Sequence, residues 1–282
     1  MSSVTKSVIT GSKFSTVAPP TVLVFAGSDP SGGAGIQADI TAIAALGAHP
    51  FSVPTVLTVQ DNRTVYQVFP VPAELVRHQA QVLINRFKID AVKLGVLGNR
   101  ENAEVVAELI RTLRQRQPAL PVVFDPVLAN SGGDALSLDE PVAALTPLFA
   151  LASVITPNQP EARRLCAGET DARRQANLLL QRGCQQVLLK GGHGTEADVV
   201  INRLFDAHGI ATDWSWPRLP GEFHGSGCTL AAAISAWLAR GLPMLDAVAA
   251  AQTYCQRTLT DSYALADGQR FPNRTTPFLK ES

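Results

Sequence analysis

The sequence is poor in charged residues, carries no net charge and lacks any long apolar run. Only 17% of its 282 residues are Asp, Glu, Lys or Arg, and the two signs balance at 24 each. A chain without a basic field has no general means of holding nucleic acid, so we expect no such partner. No apolar run approaches the roughly 18 residues needed to span a bilayer, so we also expect no membrane partner.

Cysteine is scarce, and the four cysteines form neither C-x-x-C pairs nor a metal-ligand pattern. They are Cys166, Cys184, Cys228 and Cys255. Thiols without such a framework are typical of a reducing compartment. Residues 1–20 are polar, end in two prolines and contain no signal-peptide core. We therefore predict a cytoplasmic protein with a flexible tail over residues 1–20 and a single domain over 21–282.

Apolar residues are plentiful, at 46% of the chain, which favours a large sheet buried on both faces. From Pro72 onward, strand-like segments alternate with helical ones, which predicts βαβ crossovers and a mostly parallel sheet. Residues 197–217 break this alternation and predict an antiparallel hairpin at the edge of the sheet. From the low charge and this edge hairpin we also predict a homodimer.

The most informative stretch is the turn Gly225-Ser226-Gly227-Cys228, which precedes the helical pattern of residues 230–240. Free N–H groups and the positive end of the helix dipole make such a turn a site for an anion. A thiol at a helix N-terminus tends to have a lowered pKa, so we expect a thiolate at Cys228. The alternative is a closely packed helix start in which Cys228 only fills space. We favour the anion site because further phosphate-type elements occur upstream.

A second glycine-rich segment, residues 27–35, follows the first predicted strand. Residues 33–38 match the G-x-G-x-x-A pattern of dinucleotide-binding folds, with Asp61 near the place of a ribose-binding acid. That pattern needs its first glycine at the turn itself, whereas six residues intervene here. We therefore favour a small-molecule loop, in which Gly27 lets a ligand approach the backbone and Asp39 projects from the following helix. The phosphate-binding G-x-x-x-x-G-K-[ST] pattern is absent.

Polar residues and glycines recur at the predicted carboxyl ends of the strands, where parallel sheets bind ligands. They are Gly27, Gln60, Lys93, Gly95, Asp125, Asn158, Glu161, Lys190, Gly191 and Gly192. Any one of them alone is more typical of a turn or a solvated charge. Their recurrence at one edge predicts a ligand site there.

Five motifs combine these residues. They are GSDPSGGAGIQADI (27–40), VFDPVL (123–128), ITPNQPEA (155–162), LLKGGH (188–193) and HGSGCTLAAA (224–233). Together they resemble the motifs of the hydroxymethylpyrimidine/phosphomethylpyrimidine kinases, a family of the ribokinase-like superfamily. The resemblance implies a three-layer α/β/α sandwich that uses ATP and Mg²⁺. It also implies phosphorylation of a hydroxymethylpyrimidine, its monophosphate or both in thiamine biosynthesis.

The resemblance assigns roles to individual residues. Cys228 stands at the position of the general base, after the anion-binding residues Gly225, Ser226 and Gly227. Residues expected to bind the pyrimidine are Gly27, Asp39, Gln60, Val96 and Val127. Residues expected to bind the nucleotide are Asp125, Asn158, Lys190, Gly191 and Gly192. Glu161 and Asp125 are expected to hold Mg²⁺.

Three residues depart from the usual family pattern: Asp61 replaces Asn, Val96 replaces Met, and Asn130 replaces Lys. These changes leave the chemistry of phosphoryl transfer in place. They leave open the exact substrate and whether one or both phosphorylations occur.

Two alternatives remain. A pyridoxal kinase of the same fold is one, because pyridoxal is also a flat heteroaromatic ring with a hydroxymethyl group. The side chains of Gln60 and Asp39 match an aminopyrimidine edge better. A non-catalytic sensor of such a precursor is the other, although it would have no need of Cys228, the turn glycines or Glu161.

Overall fold

The computed structural model describes residues 18–128, 141–193 and 198–275. Its strands are β1 (Thr21–Ser28), β2 (His49–Gln60), β3 (Val65–Pro70), β4 (Ala91–Leu94), β5 (Val122–Phe124), β6 (Val154–Ile155), β7 (Val187–Leu189), β8 (Val199–Asp206) and β9 (Gly209–Pro217). They form one nine-stranded sheet in the order β3-β2-β1-β4-β5-β6-β7-β8-β9. Most of the predicted tail, and the Asn130 position, lie outside the described residues.

The described helices flank this sheet. They are α1 (Gly35–Ala45), α2 (Ala73–Arg86), α3 (Arg100–Arg116), α4 (Pro141–Ala144), α5 (Gln159–Leu165), α6 (Ala172–Gln181), α7 (Ser226–Ala239) and α8 (Met244–Thr260), with a 3₁₀ helix at Thr146–Leu151. No helix in these parts of the chain is long and apolar enough to cross a membrane.

The sheet is mostly parallel, as predicted. β1 pairs with β2 and β4, and β4 to β7 pair in succession, all in parallel. The antiparallel hairpin of β8 and β9 forms one edge, also as predicted. The opposite edge is a second antiparallel hairpin, of β2 and β3, which the sequence analysis missed. Because no residue of β3 is fully buried, its sequence lacks the apolar alternation that marks a strand.

Apolar side chains alternate across the strands and build a core on each face of the sheet. On one face, Leu23, Phe25 and Phe124 pack with α2, α3, α5 and α6. On the other face, Val24 and Val123 pack with α1, α7 and α8. The predicted three-layer α/β/α arrangement is therefore confirmed. It also brings the carboxyl ends of the parallel strands to the edge where α1 and α7 begin.

Asn102, on α3, ties three segments together from within one core. Its side-chain nitrogen donates to the carbonyl oxygens of Leu97 (2.9 Å), Thr55 (3.1 Å) and Val71 (3.1 Å). The residue is fully buried. Removing the amide would leave buried carbonyl oxygens without that donor, which costs free energy because no water replaces it.

We predict that Asn102→Ala lowers the free energy of unfolding by about 1–3 kcal/mol, through the loss of these hydrogen bonds. Urea denaturation of the variant and the wild type measures the difference. Gln115→Ala is the matched control: its amide lies exposed on the same helix, and we expect a change of less than about 0.5 kcal/mol. Equal stability of the two variants would contradict a structural role for Asn102.

Candidate active site

A cavity of about 1010 Å³ opens where the carboxyl ends of the strands meet the start of α7. Most of the predicted site residues line it. They are Gly27, Gln60, Val96, Asp125, Val127, Asn158, Glu161, Lys190, Gly192, Gly225, Ser226, Gly227 and Cys228. The volume is at the upper end of the usual range for small-molecule sites, so it has room for more than one small ligand.

Asp39 does not lie on the wall of this cavity. Its side chain is fully buried in α1, and Oδ2 accepts a 2.8 Å hydrogen bond from Nζ of Lys93. Lys93 does line the cavity. Asp39 thus lies behind Lys93 in this structure, and its expected contact with a substrate stays a prediction. The carboxylate neutralises the lysine beside it, as a buried charge requires.

Gly191 is a second predicted site residue that does not line the described cavity wall. A Cβ at this position would overlap the carbonyl oxygen of Ile201, so the glycine is needed for the close approach of β8. Its N–H donates a 2.9 Å hydrogen bond to Oδ1 of Asn202 and is thereby occupied. Gly191 is absent from the described cavity wall, whereas Gly192 lies on it.

The two glycine-rich segments contact each other directly. A Cβ on Gly225 would overlap the carbonyl oxygen of Gly33, and a Cβ on Gly33 would overlap the ring of His224. Gly225, the residue before α7, also has a left-handed backbone with φ of 71°. Glycine is therefore required here by packing and by conformation together. The contact places the loop after β1 against the turn that holds Cys228.

Cys228 lies in the first turn of α7, but it is not poised as a thiolate. Burial, together with Asp39 and Asp125, raises the pKa of the thiol to about 11, although Lys93 and the N–H of Gly35 act in the opposite direction. The expected lowering of the pKa is therefore wrong for this structure. The helix N-terminus does not outweigh the loss of water around the sulfur, and the thiol is protonated at neutral pH.

Asp125 and Lys190 form an ion pair beside the turn. Oδ1 of Asp125 accepts hydrogen bonds from Nζ of Lys190 (2.8 Å) and from Oγ1 of Thr156 (3.0 Å). A Cβ on Gly227 would come within 3.1 Å of the lysine nitrogen. Burial lowers the pKa of Lys190, but Asp125 and Glu161 hold it above its usual value. A fixed cation thus faces the turn, where the absence of a side chain at Gly227 leaves room for an anionic group.

Asn158 and Glu161 form a capping box at the start of α5. Oδ1 of Asn158 accepts from the N–H of Glu161 (2.8 Å), and Oε2 of Glu161 accepts from the N–H of Asn158 (2.7 Å). The N-x-x-E motif thus has a structural role in addition to its place on the cavity wall. Burial and the nearby Asp125 raise the pKa of Glu161, while Lys190 opposes the shift.

The sequence analysis assigned no role to His224 and Asp29, which form a buried pair. Nε2 of His224 lies 2.9 Å from Oδ2 of Asp29. The same carboxylate accepts hydrogen bonds from the N–H groups of Ser31 (2.8 Å) and Ala34 (2.7 Å). Burial raises the pKa of Asp29, but the bonds from His224 and Ser31 outweigh it and keep the pKa below its usual value. The two residues stand far apart in the chain, so no local pattern could have linked them.

The sheet covered on both faces and the charged cavity at its carboxyl edge define the architecture of the ribokinase-like class. Solved structures support this class. A pyridoxal kinase from Staphylococcus aureus in complex with pyridoxal superposes with a TM-score of 0.82 at 27% identity, covering 92% of this chain and 94% of the other. A phosphomethylpyrimidine kinase from Clostridium difficile superposes with a TM-score of 0.69 at 29% identity, covering 86% and 99%.

Sequence comparison identifies the family. Residues 29–273 match the family model described as phosphomethylpyrimidine kinase. The hydroxymethylpyrimidine/phosphomethylpyrimidine kinase of Rhizobium meliloti is 39% identical over 261 residues, which cover 88% of this chain and 93% of the relative. The protein of the same name from Streptomyces coelicolor is 39% identical over 259 residues, covering 89% and 93%. The chain therefore belongs to the phosphomethylpyrimidine kinase family, and the resemblance inferred from its motifs is confirmed.

We predict that alkylation of Cys228 by iodoacetamide accelerates about tenfold per pH unit between pH 7 and 9, because only the thiolate reacts. The raised pKa of about 11 means that the thiolate fraction is still growing throughout that interval. Mass spectrometry of the peptide that contains Cys228 measures the rate. A rate that levels off by about pH 9 would show a thiol of ordinary or lowered pKa and would contradict the structure.

Proposed function

We propose that the protein transfers the γ-phosphoryl group of ATP to 4-amino-5-hydroxymethyl-2-methylpyrimidine, to its monophosphate or to both, in thiamine biosynthesis. The observation that carries this proposal is the junction of the two glycine-rich segments. There Cys228, Lys93 and Lys190 line the same cavity as Gln60. The family and the names of its curated relatives support the same activity.

Phosphoryl transfer depends mainly on positioning and on neutralising the charge of the transferring group. The first N–H groups of α7 have no partner within the helix, so they can donate to the oxygens of that group. Lys190 adds a positive charge on the side that Gly227 leaves open. We assign the nucleotide phosphates to this end, with Asp125, Asn158 and Gly192 beside them.

Mg²⁺ fits the carboxylates at this end. Oδ2 of Asp125 and Oε1 of Glu161 accept no hydrogen bond from any described residue, and oxygen atoms are the ligands that Mg²⁺ prefers. No cluster of three metal-binding side chains occurs in the described parts of the chain. Mg²⁺ commonly binds through one or two carboxylates together with substrate phosphates. When bound, it would offset the negative charge of those phosphates.

Cys228 is the proposed general base. It would accept the proton of the attacking hydroxyl as the phosphoryl group arrives at the turn. The protein holds Asp125 and Asp39 near the thiol, and both raise its pKa. Neutralisation of Asp125 by a cation would remove one of these opposing charges and favour the thiolate.

The pyrimidine is assigned to the end of the cavity lined by Gly27, Gln60, Val96 and Val127. The amide of Gln60 offers a donor and an acceptor, which match a ring nitrogen beside an amino group. Asp61 lies next to it, but its carboxylate is engaged in the β2–β3 turn. It accepts from the N–H groups of Arg63 and Thr64 and from the hydroxyl of Tyr66.

Turnover with Mg-ATP tests the proposal against its alternatives. Four acceptors are compared: the hydroxymethylpyrimidine, its monophosphate, pyridoxal and a sugar. Pyridoxal is included because the Staphylococcus aureus structure that superposes on this chain is a pyridoxal kinase in complex with pyridoxal. We expect the highest kcat/KM with one or both pyrimidines. A preference for pyridoxal would replace the proposed substrate, and binding without turnover would favour the sensor.

We predict that Cys228→Ser lowers kcat by roughly 10²–10⁴-fold, the usual contribution of a general base. Steady-state kinetics measures the loss, and thermal melting with nucleotide titration shows that the fold and ATP binding persist. Cys255→Ser is the matched control, because this cysteine also lines the cavity but has no assigned role in proton transfer. A folded Cys228→Ser variant within about threefold of wild type would remove the base from the mechanism.

We also propose that the chain forms a homodimer through the β2–β3 hairpin. Leu57 and Val59 of β2 and Phe69 of β3 are 51%, 46% and 52% exposed, and Leu57 pairs with Phe69 across the hairpin. The described side chains of β8 and β9 include no large apolar residue exposed to this degree. The interface is therefore assigned to the edge opposite the one that motivated the original prediction.

We predict that Leu57→Asp raises the dimer dissociation constant at least about tenfold, because a two-fold interface would bury two new carboxylates. Sedimentation at micromolar concentration measures the change. Leu178→Asp is the control, since this leucine is 40% exposed on α6, which packs beside β7 and β8 on the other side of the sheet. A wild type that sediments only as a monomer would contradict the dimer. An equal rise of the dissociation constant in both variants would contradict an interface at the β2–β3 hairpin.

A further inference from the structure

Arg274, beyond α8, reaches both glycine-rich segments from behind the cavity. Its Nε donates a 2.8 Å hydrogen bond to Oγ1 of Thr229 on α7. One of its terminal nitrogens donates to the carbonyl oxygens of Gly33 and His224. The residue is only 5% exposed. One side chain thus holds the loop after β1 and both ends of the turn that contains Cys228.

Thr229 extends this network to the turn itself. Its hydroxyl also donates a 2.9 Å hydrogen bond to the carbonyl oxygen of Gly225. Gly225 is the residue whose backbone packs against Gly33. Arg274, Thr229, Gly225 and Gly33 are therefore linked by a closed circuit of contacts that joins the two glycine-rich segments.

The backbone around Arg274 is anchored independently. Its carbonyl oxygen accepts a 2.8 Å hydrogen bond from the hydroxyl of Tyr254, which is fully buried on α8. The N–H of the preceding residue, Asn273, donates to the carbonyl of Thr258 on the same helix. The backbone that carries the guanidinium is thus held in place by α8.

The charge of Arg274 has no carboxylate partner among the described residues, where its acceptors are two carbonyls and one hydroxyl. A buried cation without an ion pair is costly. Burial lowers the pKa of the guanidinium, and the strongest opposing influence is the negative charge that Cys228 would carry as a thiolate. Its positive charge therefore acts on the same region of the cavity wall as Cys228.

We propose that Arg274 is a positioning residue for the transfer step, a role that rests on the proposed kinase function. It is absent from the described wall of the cavity. It holds the segments around Gly33 and Gly225 in a fixed relative position, and its positive charge favours negative charge at the turn. Its planar guanidinium suits this role because it can donate to three acceptors in fixed directions, whereas a lysine is a point charge on a flexible stem.

The kinetic test compares Arg274→Lys and Arg274→Met with the wild type. We expect kcat to fall about 10- to 100-fold in Arg274→Met, since a small displacement of the turn misaligns the reacting groups. KM for the pyrimidine should change less than kcat, because Gln60 lines the cavity whereas Arg274 is absent from its described wall. Arg274→Lys keeps the positive charge but lacks the planar guanidinium with its several donors, so it should recover only part of the loss in kcat.

Arg270→Met is the matched control. Arg270 lies in the same segment, but among the described residues its side chain donates only to the hydroxyl and carbonyl oxygens of Ser262. We expect its kcat to stay within about threefold of wild type. Thermal melting verifies folding of every variant, and kinetics are measured well below the lowest melting temperature.

Hydrogen exchange of backbone amides gives a second readout, which does not depend on catalysis. In Arg274→Lys and Arg274→Met, peptides covering residues 29–38 and 224–230 should both exchange faster, whereas Arg270→Met should leave both unchanged. Unchanged exchange in either peptide of the Arg274 variants would overturn the bridging role. Changed exchange with unchanged kcat would overturn the catalytic consequence. A wild type inactive with every acceptor would refute the proposed function, while the exchange result would still decide whether Arg274 bridges the segments.

Discussion

The contact between Gly33 and Gly225 is the constraint on which the site depends. It joins the start of α1 to the start of α7 with no side chain between the two backbones. Any larger residue at either position would separate the helices, and with them the two sets of free N–H groups at their N-termini. Close packing and anion binding, which the sequence presented as alternatives, are therefore two consequences of one arrangement: the turn can present its N–H groups because it packs against the other loop.

Buried charges surround this contact in pairs. Lys93 is held by Asp39, and Lys190 is held by Asp125, each at 2.8 Å. Only the lysine of the first pair reaches the cavity, since Asp39 lies behind it. The protein thereby presents two cations to a negatively charged ligand. The counter-charge of Lys93 comes from within the core, whereas that of Lys190 lies on the cavity wall. The carboxylates of Asp39 and Asp125 also raise the pKa of Cys228.

Much of this arrangement could be predicted from local patterns. The βαβ alternation predicted the parallel sheet, and residues at strand ends predicted most of the cavity wall, because parallel strands carry such residues to one edge. The same logic could not show that Asp39 lies behind the cavity wall, inside α1. Its orientation depends on Lys93, which is 54 positions away. The His224–Asp29 pair and the reach of Arg274 were invisible for the same reason. The pKa of Cys228 was mispredicted because a helix N-terminus can be read from sequence, whereas desolvation and two nearby carboxylates cannot.

A thiol that is protonated at rest must lose its own proton to solvent before it can act as the proposed base in phosphoryl transfer, because only the thiolate accepts a proton. In a loose transition state, the bond to the leaving oxygen is largely broken before the acceptor hydroxyl has bonded strongly to phosphorus. The hydroxyl proton becomes acidic only as that bond forms, so a strong base is not needed at the outset. What must be present from the start is the geometry: donors at the turn, cations beside it and an acceptor for the proton within reach. The glycine contact and the paired lysines provide that geometry before any proton moves, and a cation bound beside Asp125 would then favour the thiolate that the proposed base requires.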